Sequence, residues 1–244
     1  MKFSVIGGTG RIGARVVEHL RAAGHEALPH ARSTGVDLLT GAGLAEAVAG
    51  ADAVIDVSQS PTSDDSSAAF FSTATGNLLA AAGRGGVGQV VLLSIVGVDL
   101  VPDLGYYRAK VLQEGLVKAG PVGYSIVRAT QFFEFVEEIM SWTADADTVR
   151  LPATPIQPVA AADVARALAE VALGAPLGGI LDVAGPEVFP LDELGRITLA
   201  ACGDRRTVVT DPTAGPFAHV PGAAITARPG TPLATTDYRA WLAG

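Results

Sequence analysis

The sequence contains one cysteine, Cys202, so no disulfide can form within the chain and a reducing compartment is expected. It has only three lysines (Lys2, Lys110 and Lys118) and a formal net charge of −8, which removes the broad basic surface that nucleic-acid binding requires. A small basic pocket for one anionic ligand remains compatible with that charge. His19, His25, His30 and His219 show no metal-ligand spacing among themselves or with Cys202, so no metal site is expected. The most apolar stretch, residues 90–101, is broken by Ser94 and Asp99 and is too short and too polar to span a bilayer. Residues 1–6 run straight into a strand-like segment without a charged leader or cleavage site, which reads as soluble, cytoplasmic and free of membrane partners.

Hydrophobic residues make up 49% of the 244 residues and charged ones 17%, enough apolar material for a large core in one main domain. Short β-branched runs alternate with longer alanine- and leucine-rich stretches. The pattern predicts strands over 3–6, 26–29, 53–57, 89–94 and 125–128, and helices over 11–23, 44–49, 68–83 and 106–119. Solid apolar strands such as Val90-Val91-Leu92-Leu93 are buried on both faces, so the fold class expected is α/β, a Rossmann-like doubly wound parallel sheet. After Arg128 the rhythm loosens. Helices are predicted over 132–140, 161–173 and 191–201 and a strand over 180–183, with little periodicity over 208–232. Residues of about 130–156 and 174–244 form a small substrate-side region in this reading, within a single dinucleotide-binding domain of 1–244.

The segment Gly7-Gly8-Thr9-Gly10-Arg11-Ile12-Gly13 follows the first strand and opens the first helix. Gly7 suits a tight turn, Gly10 lets a pyrophosphate approach the backbone, and Gly13 lets helix and sheet pack closely. The backbone N–H groups around Gly10, Arg11 and Ile12 then face the phosphates, helped by the helix dipole. The second strand ends in His30-Ala31-Arg32-Ser33, with an arginine where an acid would bind a ribose 2′-hydroxyl. Arg32 and Arg11 therefore favour NADP(H) over NAD(H). Asp37 is either a contact to the adenine end or a turn residue.

Tyr106 and Lys110 lie four apart at the start of a predicted helix and share a face. A nearby ammonium lowers a phenol pKa toward working pH, giving an acid/base for a carbonyl or alcohol oxygen. Ser94, at the end of an apolar strand, is placed to hydrogen-bond the same oxygen. Tyr107 is expected to rotate off that face.

The glycine turn, Ser94, Tyr106-x-x-x-Lys110 and Val127-Arg128-Ala129 together resemble the short-chain dehydrogenase/reductase superfamily. Arg128-Ala129-Thr130-Gln131-Phe132-Phe133, Gln157-Pro158-Val159, Asp163-Val164 and Gly185-Pro186-Glu187 are similar to its atypical, NmrA-like NAD(P)-binding branch. The resemblance covers nearly the whole chain and is weakest near its end. It implies Tyr106 as acid/base, Lys110 as activator and ribose contact, and Ser94 as a substrate-orienting hydroxyl. Ser58 and Gln59 would lie against the cofactor, and Gln131, Phe132 and Phe133 would line the substrate pocket, with core packing the alternative for the two phenylalanines. Asn77, the only asparagine, aligns loosely with the family's helix-borne asparagine. The implied activity is that of an NADP(H)-dependent oxidoreductase on a small apolar carbonyl or alcohol. The same fold also serves epimerases, dehydratases, quinone reductases and non-catalytic dinucleotide sensors. A homodimer is the default expectation for assembly.

Overall fold

The structure is a computed structural model describing all residues, Met1–Gly244. In chain order the strands and helices begin with β1 (Lys2–Ile6), α1 (Arg11–Ala22), β2 (Glu26–His30), α2 (Leu44–Val48), β3 (Ala53–Asp56) and α3 (Ser67–Arg84). Next come β4 (Gln89–Ile95), α4 (Gly105–Ala119), β5 (Gly123–Ala129), α5 (Val136–Ser141), β6 (Thr148–Leu151) and β7 (Pro155–Ile156). The chain ends with α6 (Ala161–Leu173), β8 (Gly179–Val183), β9 (Phe189–Pro190), α7 (Leu191–Cys202), β10 (Thr207–Thr210) and α8 (Tyr238–Leu242). No helix is long and apolar enough to cross a membrane.

Six strands form a parallel central sheet in the order β2-β1-β3-β4-β5-β8, flanked by helices in a Rossmann-like arrangement. The expected fold class is therefore borne out. β1 neighbours both β2 and β3, so strand order reverses at β1, and ligands in such sheets bind beyond the carboxyl ends of the strands at that reversal. Pro29, paired with Val5, is tolerated because β2 is an edge strand and needs no donor on its outer side. α1 buries Gly13, Val16, Val17 and Leu20, the i, i+3, i+4, i+7 stripe of an amphipathic helix.

The chain divides into two compact units. The first comprises Met1–Ser94, Leu104–Arg128 and Val164–Leu181, and it contains nearly all of the sheet. Its core includes Ile6, Leu44, Val54, Leu78, Ala82 and Val90. The second comprises Ile95–Asp103, Ala129–Asp163 and Asp182–Gly244. It is built on two small sheets, parallel β6–β10 and antiparallel β7–β9, with α5, α7 and α8. Phe133 packs edge-on against Tyr238 with ring centroids 4.9 Å apart, and Tyr238 stacks on Trp241. The helix expected over 132–140 is a 3-10 turn, Phe133–Phe135, followed by α5.

Candidate dinucleotide site and acid–base face

The turn after β1 is one that glycine alone builds. Gly7 has φ +78°, and a Cβ there would lie 2.8 Å from the Val57 carbonyl oxygen. At Gly13 a Cβ would fall 2.3 Å from the Gly7 carbonyl oxygen, so α1 sits directly on the turn. Gly7 and Gly8 both donate their amides to the His30 carbonyl, which fastens the turn to the end of β2. Gly10 is the N-cap of α1. It brings no capping side chain, and the first turn of the helix holds no acid. Ile12 and Gly13 lie among the first-turn amides, which no helix can satisfy from within. The cradle therefore fits a pyrophosphate: donors at a helix N-terminus, close backbone approach, and nothing anionic in the way. Thr9 and Arg11 are exposed beside it, and Ile12 is half-buried.

Arg32 is exposed in the short 3-10 turn that follows β2. Asp37 serves its own loop: one carboxylate oxygen accepts the amides of Leu39 (2.8 Å) and Thr40 (3.2 Å). The Asn77 side chain donates to the carbonyls of Leu38 and Leu39, pinning that loop to α3. Ser58 donates its amide to Asp56, Ser58 Oγ is buried without a hydrogen-bond partner, and Gln59 is exposed.

Tyr106 and Lys110 both lie on α4, but their environments differ from the sequence expectation. Tyr106 is partly exposed, its ring edge-on to Phe71 at 5.9 Å. Lys110 is buried, and its ammonium donates to the Leu93 carbonyl (2.8 Å) and to Gln113 Oε1 (2.5 Å) while lying 4.9 Å from the centre of the Phe71 ring. The sequence reading has Lys110 lowering the Tyr106 phenol; the structure reverses this. Burial, with the charge of Asp56 added, pushes Tyr106 up to about 12. Burial pulls Lys110 down to about 8, against the support of Asp56 and Glu114. Tyr107 is buried. Ser94 is buried in β4, and its hydroxyl lies near Glu114 but outside hydrogen-bond geometry.

Sequence reasoning missed the groups beneath this face. Asp56, at the end of β3, is buried, and desolvation raises its pKa despite the Ser58 amide it accepts and the charge of Lys110. Its Oδ2 accepts from Gln113 Nε2 at 3.2 Å, so Gln113 bridges Asp56 and Lys110. Glu114 and Arg128 form a buried, two-pronged ion pair with both contacts at 2.8 Å. Burial opposes the Glu114 carboxylate, but Arg128, with Lys118 at 3.1 Å, holds its pKa below the ordinary value. A carboxylate closing an apolar strand, as in Ala53-Val54-Ile55-Asp56, is the signal that could have drawn attention to Asp56.

The substrate-side candidates belong to the second unit. Phe133 is part of its aromatic core, Phe132 is half-buried, and Gln131 is buried with neither side-chain amide atom hydrogen-bonded.

The sequence matches the NAD(P)H-binding family over residues 7–173. No curated protein sequence matches it. Among solved structures, a nucleoside-diphosphate-sugar epimerase from Staphylococcus aureus superposes with a TM-score of 0.74 over 100% of both chains, at 15% identity. A dTDP-glucose 4,6-dehydratase from Streptomyces venezuelae, with NAD bound, gives 0.70 at 22% identity, covering 86% of this chain and 85% of its own. An NADPH-dependent quinone oxidoreductase from Escherichia coli, complexed with NADPH, gives 0.68 at 20% identity, covering 86% and 78%. At these identities the likeness is one of fold. The NAD(P)-binding part of the resemblance is borne out: the chain belongs to the NAD(P)H-binding family and has a Rossmann-like fold.

Proposed function

We propose that the protein is an NADP(H)-dependent oxidoreductase that reduces a carbonyl of a small, apolar substrate. The observation that carries this reading is a partly exposed phenol, Tyr106, in a unit that also carries a dinucleotide cradle. The phenol is protonated at neutral pH and can there only give a proton, as reduction of a carbonyl requires. Its raised pKa makes it a weaker acid than a free tyrosine, so it would give the proton only to an oxygen made basic by hydride addition. The backbone of Gly7, Gly10 and Ile12 would hold the pyrophosphate, and Arg32 with Arg11 would take the 2′-phosphate. A nicotinamide held there would supply hydride to the carbonyl carbon. Tyr106 Oη donates a proton to the substrate oxygen, and Lys110 keeps the base of α4 polar beneath it. Gln131, Phe132 and Phe133 are assigned to substrate recognition; the unpartnered Gln131 amide supports that role.

The test is Tyr106→Phe, assayed for NADPH consumption over a panel of aldehydes, ketones and quinones. We expect kcat to fall by about 10²–10⁴-fold with NADPH affinity retained; undiminished turnover sinks the assignment. Arg32→Ala should weaken NADPH binding by about tenfold while sparing NADH, and an equal loss for both removes the NADP preference. A non-catalytic dinucleotide sensor is the second reading, favoured by the way Lys110 is turned into Leu93 and Gln113. It predicts NADPH binding without consumption and a partner whose affinity depends on the bound nucleotide. An epimerase would likewise bind nucleotide without net consumption, yet convert its substrate.

A further inference from the structure

We propose that Gln113 and Asp56 are positioning residues for Lys110, the Gln113 amide fixing the ammonium by gripping it with Oε1 while Nε2 is anchored on the Asp56 carboxylate. The inference rests on the reading of α4 as the acid–base face and names what sets that face from below. The geometry allows one orientation of the amide only. An ammonium has donors and no acceptor, and an ionised carboxylate has acceptors and no donor, so the two ends of Gln113 cannot be exchanged. The distances are 2.5 Å from Lys110 Nζ to Oε1 and 3.2 Å from Nε2 to Asp56 Oδ2. Gln113 is fully buried, and Asp56 and Lys110 nearly so. Packing alone does not call for this trio, since apolar side chains of similar volume fill such space without desolvating two charges.

Around the ammonium, β4 presents the Leu93 carbonyl, β3 presents Asp56, α3 presents the Phe71 ring, and α4 presents Gln113 and Glu114. Asp56 is the anion common to Lys110 and Tyr106, supporting the charge on the first and opposing ionisation of the second. Its loss should therefore lower the Lys110 midpoint.

The experiment is an NMR titration of the full chain carrying ¹³C-labelled lysine, whose three ε-methylenes report Lys2, Lys110 and Lys118 separately. Gln113→Met, of similar shape but unable to bridge, should lower the Lys110 midpoint by about one pH unit. Asp56→Asn should move Lys110 the same way, so either variant decides if the other does not fold. A Lys110 midpoint unchanged to within about 0.3 unit in a folded variant overturns the proposal. The titration needs neither substrate nor turnover. A failed Tyr106→Phe test would thus remove the catalytic reading without touching this result, and the reverse also holds.

Discussion

In the first unit the buried charges meet buried partners: Asp56, Gln113 and Lys110 form one chain, and Glu114 with Arg128 another. In the second unit, buried acids meet arginines at the surface. Asp182 pairs with Arg228, whose side chain is 69% exposed, and Asp192 with Arg196, at 41%. Its centre is occupied by rings instead, Phe133, Phe189, Tyr238 and Trp241. A pair withdrawn from water on both sides gives a large response when one partner is removed, whereas a pair with one foot in solvent is screened. The first unit thus withdraws both partners of its charge pairs from water, and the second keeps one partner of each at the rim.

The strongest way to break this contrast is to remove matching arginines. Arg128→Met leaves the Glu114 carboxylate buried without its two-pronged partner, and should cost about 3–5 kcal/mol in urea unfolding. Arg228→Met should cost less than about 1 kcal/mol. Similar losses would show that burial of both partners is not what matters. The pH dependence follows from the depressed pKa of Glu114. Its stabilising contribution is complete above the ordinary carboxylate value and is lost as pH falls through the lower folded value. Wild type should therefore shed stability on acidification that Arg128→Met has already lost.

Next in size is the turn. Gly13→Ala places a methyl 2.3 Å from the Gly7 carbonyl oxygen, a backbone atom that yields only if the turn moves. It should cost about 1–3 kcal/mol and weaken NADPH binding by about a hundredfold or more in fluorescence titration. Gly10→Ala meets the same oxygen at 3.3 Å and should fold normally, so its loss of affinity would report the approach of the phosphates alone. Equal destabilisation by both variants would deny the turn its specific fit.

What the sequence made legible was local. The apolar stripe of α1, the glycines at a strand-to-helix junction and the Tyr106–Lys110 spacing each lie within one or two turns of chain. The bridge from Lys110 through Gln113 to Asp56 spans 57 residues between its last two members, and no spacing rule reaches that far. The sense of the Tyr106 shift is illegible for the same reason: burial, its largest cause, and the charge of Asp56 both come from packing that no local spacing shows. In the second unit β6 and β10 are four residues each and pair across more than fifty positions, leaving no periodicity to read. The last helix, α8, did have a local mark. Asp237 caps it, accepting the Ala240 amide at 2.8 Å, but five residues give too short a stripe to notice.

That helix gives the smallest test and the one most specific to the second unit. Tyr238 is buried with its rim against Phe133 and Phe189 and its face on Trp241, and its hydroxyl shares a 2.8 Å hydrogen bond with Thr198. Burial pushes the phenol up to about 12, the Thr198 bond opposing. Tyr238→Phe keeps every ring contact and removes one polar atom. Thr198 Oγ1 still has the Leu194 carbonyl at 2.8 Å, so no buried donor is stranded. The loss should be about 1 kcal/mol, the net worth of a neutral hydrogen bond. A phenol raised on folding contributes its stability below the unfolded value near 10 and loses it as pH climbs toward 12, so the alkaline loss of stability should be shallower in the variant. Rings hold the second unit if the penalty stays that small; a loss approaching that of Arg128→Met would mean that a polar bond anchors α8, and the two units would no longer differ in kind.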